Sequence, residues 1–435
     1  MPAAPVTVRI GFDLSAVGDP TLFTLDDPVQ GELDSVYVLG GTLYQDVTPY
    51  VRGVTIRRGR SRRLDKYQSG TATIAFNNSD RRFDPAYAGS PYAGQIKPRR
   101  PVSIEVGSDY LFTGFVEDWN LDYALGGDSV ATAACVDGFA LLAGTELEGF
   151  TNTAELPGAR IAAILDRPEV GWPTATRDLA TGSQQLQADA VDEGQEVLPY
   201  LQKVEETENG ALFIAADGVL TFKAADTPSS QASGLVFTNS DSISNVSYDA
   251  GSGYDAALPY GAPGIPGTYV DYSGIAVEYG TETLYNRVTV TRENSATVAT
   301  ADDTASQAEF GVAALDRQGL LFAQDDQLAP VAEYLVNRYG NPQVRIRTIT
   351  VNAHALSAGV RSQVLALDFG DVIRVRFTPN QIGDPIDQYL TVEGVSHSIS
   401  NLTHQVSFDM ELITYFPFEL DSNDYGILDT NVLGL

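Results

Sequence analysis

The sequence predicts a mainly β, multi-domain protein in which a small α+β module separates two β-rich regions. Residues 71–76 alternate apolar with small polar side chains, and similar alternation returns after residue 284, which is typical of strands with one face on a core. Between these regions, apolar residues follow helical spacing. A chain of 435 residues is too long for a single core, so we expect about two to four domains.

We divide the chain into six segments from these patterns. They are an N-terminal arm (1–43), a first β-barrel domain (44–150), a small α+β module (151–228), a Tyr/Gly/Pro-rich loop region (229–283), a second β-barrel domain with one helix (284–414) and a C-terminal arm (415–435).

The first β region contains three short strands in succession. The strand at 71–76 is followed at 77–80 by Asn, Ser and Asp, whose side chains bond nearby backbone and favour turns. Strands at 102–106 and 111–119 follow, with a Gly-Ser-Asp turn between them. This order predicts a meander that closes into a small barrel or a sandwich.

Arginines crowd the segment before the first of these strands: Arg57, Arg58, Arg60, Arg62 and Arg63. They favour a subunit interface with an acidic surface on a neighbouring copy. The alternative is a solvated strand-and-loop face. Nucleic-acid contact is disfavoured, because the interleaved aromatic platform expected for it is missing.

The overall charge is strongly negative. With 27 Lys and Arg against 57 Asp and Glu, the formal net charge is -30, which disfavours general binding of DNA. A negatively charged surface suits a channel through which DNA passes without binding to the wall. Solubility alone is the other explanation.

A short element recurs at the two ends of the chain. Residues 23–34 and 418–429 share Phe, Leu-Asp, Gly and Leu-Asp at the same spacing. We expect the apolar side chains Phe23, Leu25, Phe418 and Leu420 to clasp a neighbouring subunit. Chance similarity between two surface turns is the alternative.

The middle of the chain predicts helices near 155–167 and 193–207 and a hairpin at 211–223 with a tight Asp217-Gly218 turn. The loop region that follows carries several tyrosines. Tyr254 and Tyr260 are candidates for glycan contact by ring stacking, although an ordered loop pinned by tyrosines at a subunit interface or over a core is the favoured explanation.

The second β region predicts a helix at 326–340, which Gly340-Asn341-Pro342 terminates. Strands are expected at about 343–352, 371–378, 389–397 and 405–413. His397 and His404 flank a predicted hairpin turn across which they could pair, but no further ligand completes a metal set, so ordinary polar residues of a hairpin are the favoured explanation.

No pattern indicates catalysis, a cofactor or a metal. The sequence lacks the GxSxG, HExxH and phosphate-loop motifs. It also lacks a secretory signal and an apolar run of about 18 residues, so we expect no membrane span.

Several segments together resemble the minor tail proteins of long-tailed phages that infect actinobacteria. They are SGTATIAFNNSDRRFDP, PRRPVSIEV, YLFTGFVEDW, DGFALLAG, LYNRVTVTREN and VEGVSHSISNLTHQVSF, in that order. The resemblance implies a tail-tip or baseplate-hub protein of the virion, made in the host cytoplasm, with paired tube-like β-barrels in each subunit.

The resemblance also implies partners. They are further copies in a homotrimer, the tail tube or distal tail protein, the tape measure protein and other minor tail proteins, with genome DNA passing through unbound. Three copies with two barrels each give a ring of six similar units around the channel. The alternative function is a carbohydrate-binding or glycan-degrading tail component that acts on the host envelope.

Overall fold

The computed structural model describes residues 6–13, 42–225, 232–239 and 268–413. It confirms the mainly β fold class. The strands are β1 (Val6–Asp13), β2 (Thr42–Asp46), β3 (Val51–Gly59), β4 (Gln68–Asn77), β5 (Pro101–Val106), β6 (Asp109–Tyr123), β7 (Ser129–Val136), β8 (Glu146–Leu147), β9 (Phe150–Thr151), β10 (Arg177–Leu179), β11 (Ala190–Val191), β12 (Gln195–Glu196), β13 (Ala211–Ile214), β14 (Leu220–Lys223), β15 (Ala232–Thr238), β16 (Thr268–Asp271), β17 (Gly274–Glu278), β18 (Arg287–Arg292), β19 (Val298–Asp302), β20 (Ala314–Leu320), β21 (Arg345–Asn352), β22 (Val372–Phe377), β23 (Ile386–Ser400) and β24 (His404–Leu412).

The described residues contain fewer helices than strands. The α-helices are α1 (Phe139–Ala143), α2 (Pro157–Leu165), α3 (Val197–Glu208), α4 (Thr304–Phe310), α5 (Leu328–Tyr339) and α6 (Ala358–Leu365). Three of them, α4, α5 and α6, lie in the segment 284–414, where the sequence predicted one. The missed helices are short, and α6 has little amphipathic pattern to detect. Among the described residues, none of the helices is long and apolar enough to cross a membrane.

The first seven strands form the first barrel. Hydrogen-bonded neighbours follow the order β3-β4-β7-β6-β5-β1-β2, and all pairs are antiparallel. The short connection 47–50 then joins β2 back to β3. The Val47 N–H donates to the Val8 carbonyl at 2.9 Å, which ties this connection to β1. The chain thus passes directly from β2, at one end of the strand path, to β3, at the other.

Seven later strands form the second barrel in the same order. β17, β21, β24, β23, β22, β15 and β16 follow one another as neighbours, and residues 272 and 273 join β16 back to β17. Taken in chain order, each of these strands occupies the place of its counterpart among β1–β7. One difference is that β15 runs parallel to β16 and β22, whereas β1 is antiparallel to β2 and β5.

The two barrels are joined by backbone pairing. β3 of the first barrel lies antiparallel to β23 of the second, with residues 53–59 opposite residues 394–400. All strands of both barrels therefore belong to one 14-stranded sheet. Buried apolar side chains of both barrels and of the α+β module also form one continuous core.

Residues 279–344 are inserted between β17 and β21, the antiparallel pair in which Glu278 lies opposite Arg345. They hold the three-stranded sheet β19-β18-β20 and α5. Their side chains build a second core of their own, which includes Val288, Val290 and Phe322. In the first barrel, the same position between β3 and β4 is occupied only by the arginine-rich turn, residues 60–67.

The α+β module lies between the barrels in sequence. The predicted helices correspond to α2 and α3, and the predicted hairpin to β13 and β14, with Gly218 at a φ of 92°. Pro199 is tolerated because it falls in the first turn of α3, where no backbone N–H is needed. The domain boundaries themselves stay predictions.

Candidate interface at the arginine-rich turn

The arginine cluster lies where β3 leaves its pairing with β23 and turns into β4. Gly59 has a φ of 92°, and a Cβ at this position would lie 2.4 Å from the Glu393 carbonyl oxygen. Only glycine allows this approach without strain. The next residue continues the contact, since the Arg60 N–H donates to that same carbonyl oxygen at 2.9 Å.

Arg60 is the centre of a buried ion cluster. Its guanidinium Nε donates to Glu393 Oε2 at 2.8 Å. Its Nη1 lies 3.8 Å from Oε1 of Glu205 in α3. The guanidinium also stacks over the Tyr67 ring at 4.2 Å. Arg60 is only 8% exposed and Glu393 1%, so the cluster links β3, β23 and α3 inside the chain.

The two carboxyl groups around Arg60 titrate differently. Burial raises the pKa of Glu393, but the opposing charges of Arg60 and Arg63 outweigh it and hold that pKa below its usual range. At Glu205, burial dominates over Arg60 and raises the pKa to about 7. The difference follows the distances, because Arg60 is closer to Glu393.

Arg58 is buried on the same strand. It is 5% exposed, lies 3.3 Å from an Asp368 oxygen and has its guanidinium 5.0 Å from the centre of the Phe369 ring. The acidic surface that Arg58 and Arg60 contact belongs to their own chain. Both side chains are thus buried within the single chain, and their role at a subunit interface stays a prediction.

The other predicted arginines are closer to the surface. Arg57 donates to the Ser61 hydroxyl at 3.0 Å, Arg62 pairs with Glu282 of the insertion, and Arg63 lies 3.7 Å from Glu393. An intersubunit role for these three stays a proposal. Four predicted apolar interface residues, Phe23, Leu25, Phe418 and Leu420, and the predicted glycan contacts, Tyr254 and Tyr260, lie outside the described residues.

The histidine pair is a buried hydrogen bond. His397 Nδ1 and His404 Nε2 are 3.1 Å apart, and burial lowers the pKa of both rings, so both are neutral near pH 7. Within the described part of the chain, no group of three or more His, Cys, Asp or Glu side chains is placed to hold a metal ion.

The sequence analysis missed two further strand edges. In the described residues, β17 has β21 as its sole strand partner. The far half of β6, residues 117–123, lies beyond its pairing with β5, which ends where Phe115 faces Pro101. A weak internal repeat points to the first edge: GVTIRRG at 53–59 corresponds to GIAVEYG at 274–280.

No family model and no curated protein sequence matches the chain. Among solved structures, the 43 kDa tail protein of prophage MuSo2 from Shewanella oneidensis is similar, with a TM-score of 0.53 and 13% identity over 85% of this chain and 95% of that chain. The tail protein from Neisseria meningitidis MC58 has a TM-score of 0.56 and 12% identity, over 94% of this chain and 96% of that chain. At these identities the likeness shows the fold, and this chain therefore has a fold that tail proteins also adopt.

Proposed function

We propose that this chain is a structural component of a phage tail, and that its copies form a hub ring around the DNA channel at the tail tip. The observation that carries the proposal is the pair of barrels with one strand order, joined edge to edge in a single sheet. The likeness to two tail proteins along nearly the whole chain and the resemblance of the sequence motifs support the same role.

A homotrimer explains the duplication. A tail tube with sixfold symmetry meets six similar units if each of three subunits supplies two barrels. In this role the chain contacts the tail tube or distal tail protein on one side and host-binding proteins on the other. The role is mechanical and not catalytic.

The net charge of -30 supports the second part of the proposal, passage of DNA without binding. Carboxylates facing a channel repel the phosphate backbone, so the genome moves through without contacts that must be broken.

The test is the native mass of the purified full-length chain, with negative-stain images of the same sample. We expect a species of three times the 46.6 kDa chain mass and rings with a central hole. A monomer at every protein and salt concentration, together with absence of the chain from rings in isolated tails, would overturn the proposal.

A further inference from the structure

The contact between the two barrels of one chain is a template for the contact between chains. We propose that β17 of one copy pairs, antiparallel, with residues 117–123 of β6 in a second copy, as β3 pairs with β23 within the chain. This inference rests on the proposed ring and names the edges that close it.

The first support is the equivalence of β6 and β23. Both strands are 15 residues long, and both contain a bulge against the next strand, between Val116 and Asp118 in β6 and between Val392 and Gly394 in β23. Both also use their first half to pair with the preceding strand, β5 or β22.

The backbone hydrogen bonds at the end of this first half are the same. Val116 donates to the Arg100 carbonyl and accepts from the Arg99 N–H, at 2.8 and 2.7 Å. Val392 donates to the Asp371 carbonyl and accepts from the Gly370 N–H, at 2.9 and 2.8 Å. Val116 is therefore the counterpart of Val392.

Beyond this point the two strands differ. From Gly394 onward, the edge of β23 is taken by β3. From residue 117 onward, the same edge of β6 has no strand partner among the described residues. An unpaired strand edge is a template for pairing with another chain.

The second support is the equivalence of β17 and β3. Thr55 pairs with Thr73 of β4 and Ala276 pairs with Thr348 of β21. The repeat GVTIRRG and GIAVEYG aligns the same two residues. One edge of β3 pairs with β23. The corresponding edge of β17 has no strand partner among the described residues.

Side-chain exposure gives a third, independent support. Val277 and Tyr279 are 43% and 68% exposed, whereas their counterparts in β3, Ile56 and Arg58, are 3% and 5% exposed. On the other strand, Tyr123 is 52% exposed and its counterpart Ile399 is 8% exposed. These three positions are thus covered where the barrels meet and exposed where no strand neighbour is present, while Ile275, Trp119 and Leu121 are half-buried against the main core.

The template fixes a register. Thr55 lies opposite Ser398, whose counterpart in β6 is Asp122, so Ala276 of one copy lies opposite Asp122 of the next. On the face equivalent to the covered side of β3, the pairs are Ile275 with Tyr123, Val277 with Leu121 and Tyr279 with Trp119. Aromatic pairs, such as Tyr279 with Trp119, and pairs of aromatic with β-branched residues, such as Tyr123 with Ile275, stabilise neighbouring strands.

The pairing also predicts an unusual response to salt. The other face brings Glu278 near Asp118 and Asp122, and like charges on facing strands repel. Added salt screens this repulsion, so association strengthens as ionic strength rises. An interface of arginines with carboxylates would weaken instead.

The experiment is disulfide trapping with Ala276→Cys and Asp122→Cys in one full-length chain. Directly opposed residues of antiparallel strands have Cα atoms about 4.5–5.5 Å apart, within the range of a disulfide. The native Cys135 is 2% exposed and does not compete. We expect oxidation to give covalent dimers and trimers that reducing agent dissolves.

The matched control replaces Ala276→Cys with Thr300→Cys, keeping Asp122→Cys. Thr300 is also exposed on an edge strand, β19, but of the separate sheet in the insertion. It should give no covalent trimer.

The outcomes separate the two proposals. Cross-linked trimers at 276 and 122, but not at 300 and 122, support the interface. A native trimer without that cross-link overturns the interface and leaves the ring. A chain that is monomeric in solution and absent from rings in isolated tails overturns both the ring and the interface.

A second variant tests the same edge without cysteine. Val277→Asp places a charge at a position that is exposed in the single chain, so folding should be unchanged by circular dichroism. Association should weaken by at least tenfold. Unchanged association would contradict the proposed pairing.

Discussion

The two barrels have the same strand order, but their third strands meet different surroundings. β3 is covered along residues 53–59 by β23, and its turn continues into the buried cluster around Arg60. β17 has one strand neighbour in the described residues and continues into the insertion. β17 has apolar residues, Ile275 and Val277, at the positions of Val54 and Ile56 of β3. Ile275 is half-buried, whereas Val277 is 43% exposed.

This comparison separates what a barrel needs from what a contact between barrels needs. The strand order and the inward apolar rows are common to both, so they belong to the barrel itself. The ion pairs of Arg60 and the positive-φ glycine, Gly59, occur at the covered edge, so they belong to the junction within the chain. The predictions below test that division, beginning with the largest expected effect.

Arg60→Ala should be the most damaging change at the junction. It leaves Glu393, which is 1% exposed, without its closest cation, and removing one partner of a buried ion pair costs about 3–5 kcal/mol. The measurement is the free energy of unfolding in urea. Arg57→Ala is the control, because Arg57 is exposed and its side chain donates a hydrogen bond to the Ser61 hydroxyl. Equal losses from both variants would contradict the central place of Arg60.

Leu321→Ala should release the insertion from the barrels. Leu321 is 0% exposed and packs in the main core, whereas its neighbours Leu320 and Phe322 pack in the core of the insertion. Removal of a buried leucine side chain costs about 2–5 kcal/mol. Hydrogen exchange should accelerate in residues 287–340 and stay slow in the barrel strands. Val312→Ala is the control, since Val312 is 59% exposed. Uniform acceleration in both regions would show that the insertion does not open alone.

Gly59 and Gly280 provide a matched pair at corresponding positions. Gly59→Ala places a Cβ 2.4 Å from the Glu393 carbonyl oxygen at a φ of 92°, and such strain costs about 1–3 kcal/mol. Gly280→Ala meets no atom within 4 Å, so the free energy of unfolding of the single chain should change by less than about 0.5 kcal/mol. Thermal unfolding of both variants under conditions that keep the chain monomeric measures the difference. Similar losses would show that the two positions are equally constrained and would weaken the comparison.

Several of the longer strands were predictable from the sequence, while the junction and many short strands were not. Alternation at 71–76 and the turn residues at 77–80 act locally, and β4 ends at Asn77 as expected. The partner of Arg60 is 333 residues away in sequence, and no local pattern indicates it. The arginines looked like a surface cluster because their carboxylates come from β23 and α3.

Two β-barrel domains were predicted, but the strand-by-strand correspondence between them was not, for a related reason. The short repeat at 53–59 and 274–280 is followed by a turn in one barrel and by the insertion 279–344 in the other. The spacing between equivalent strands therefore differs, and no fixed sequence period reveals the repeat. Only the strand pairing shows which strands of the two barrels correspond.

The smallest expected effect distinguishes the two carboxyl groups at the covered edge by their pH dependence. The pKa of Glu205 in the folded chain is raised to about 7 from 4.5, so its ionisation destabilises the fold progressively as pH rises from 4.5 to 7. Glu205→Gln should then be stabilising at pH 8, on the order of 1 kcal/mol, and lose this advantage below pH 4.5.

Glu393 has a lowered pKa in the folded chain. Its contribution to the stability of the fold is therefore present above its unfolded pKa and lost as pH falls through the folded pKa. Glu393→Gln should therefore be destabilising at pH 8 and less so in acid. Urea unfolding of both variants at pH 4, 6 and 8 measures the two slopes. If both variants changed stability in the same direction at pH 8, Arg60 would be shared equally between the carboxylates, and the cluster would hold α3 to the covered edge as firmly as it holds β23.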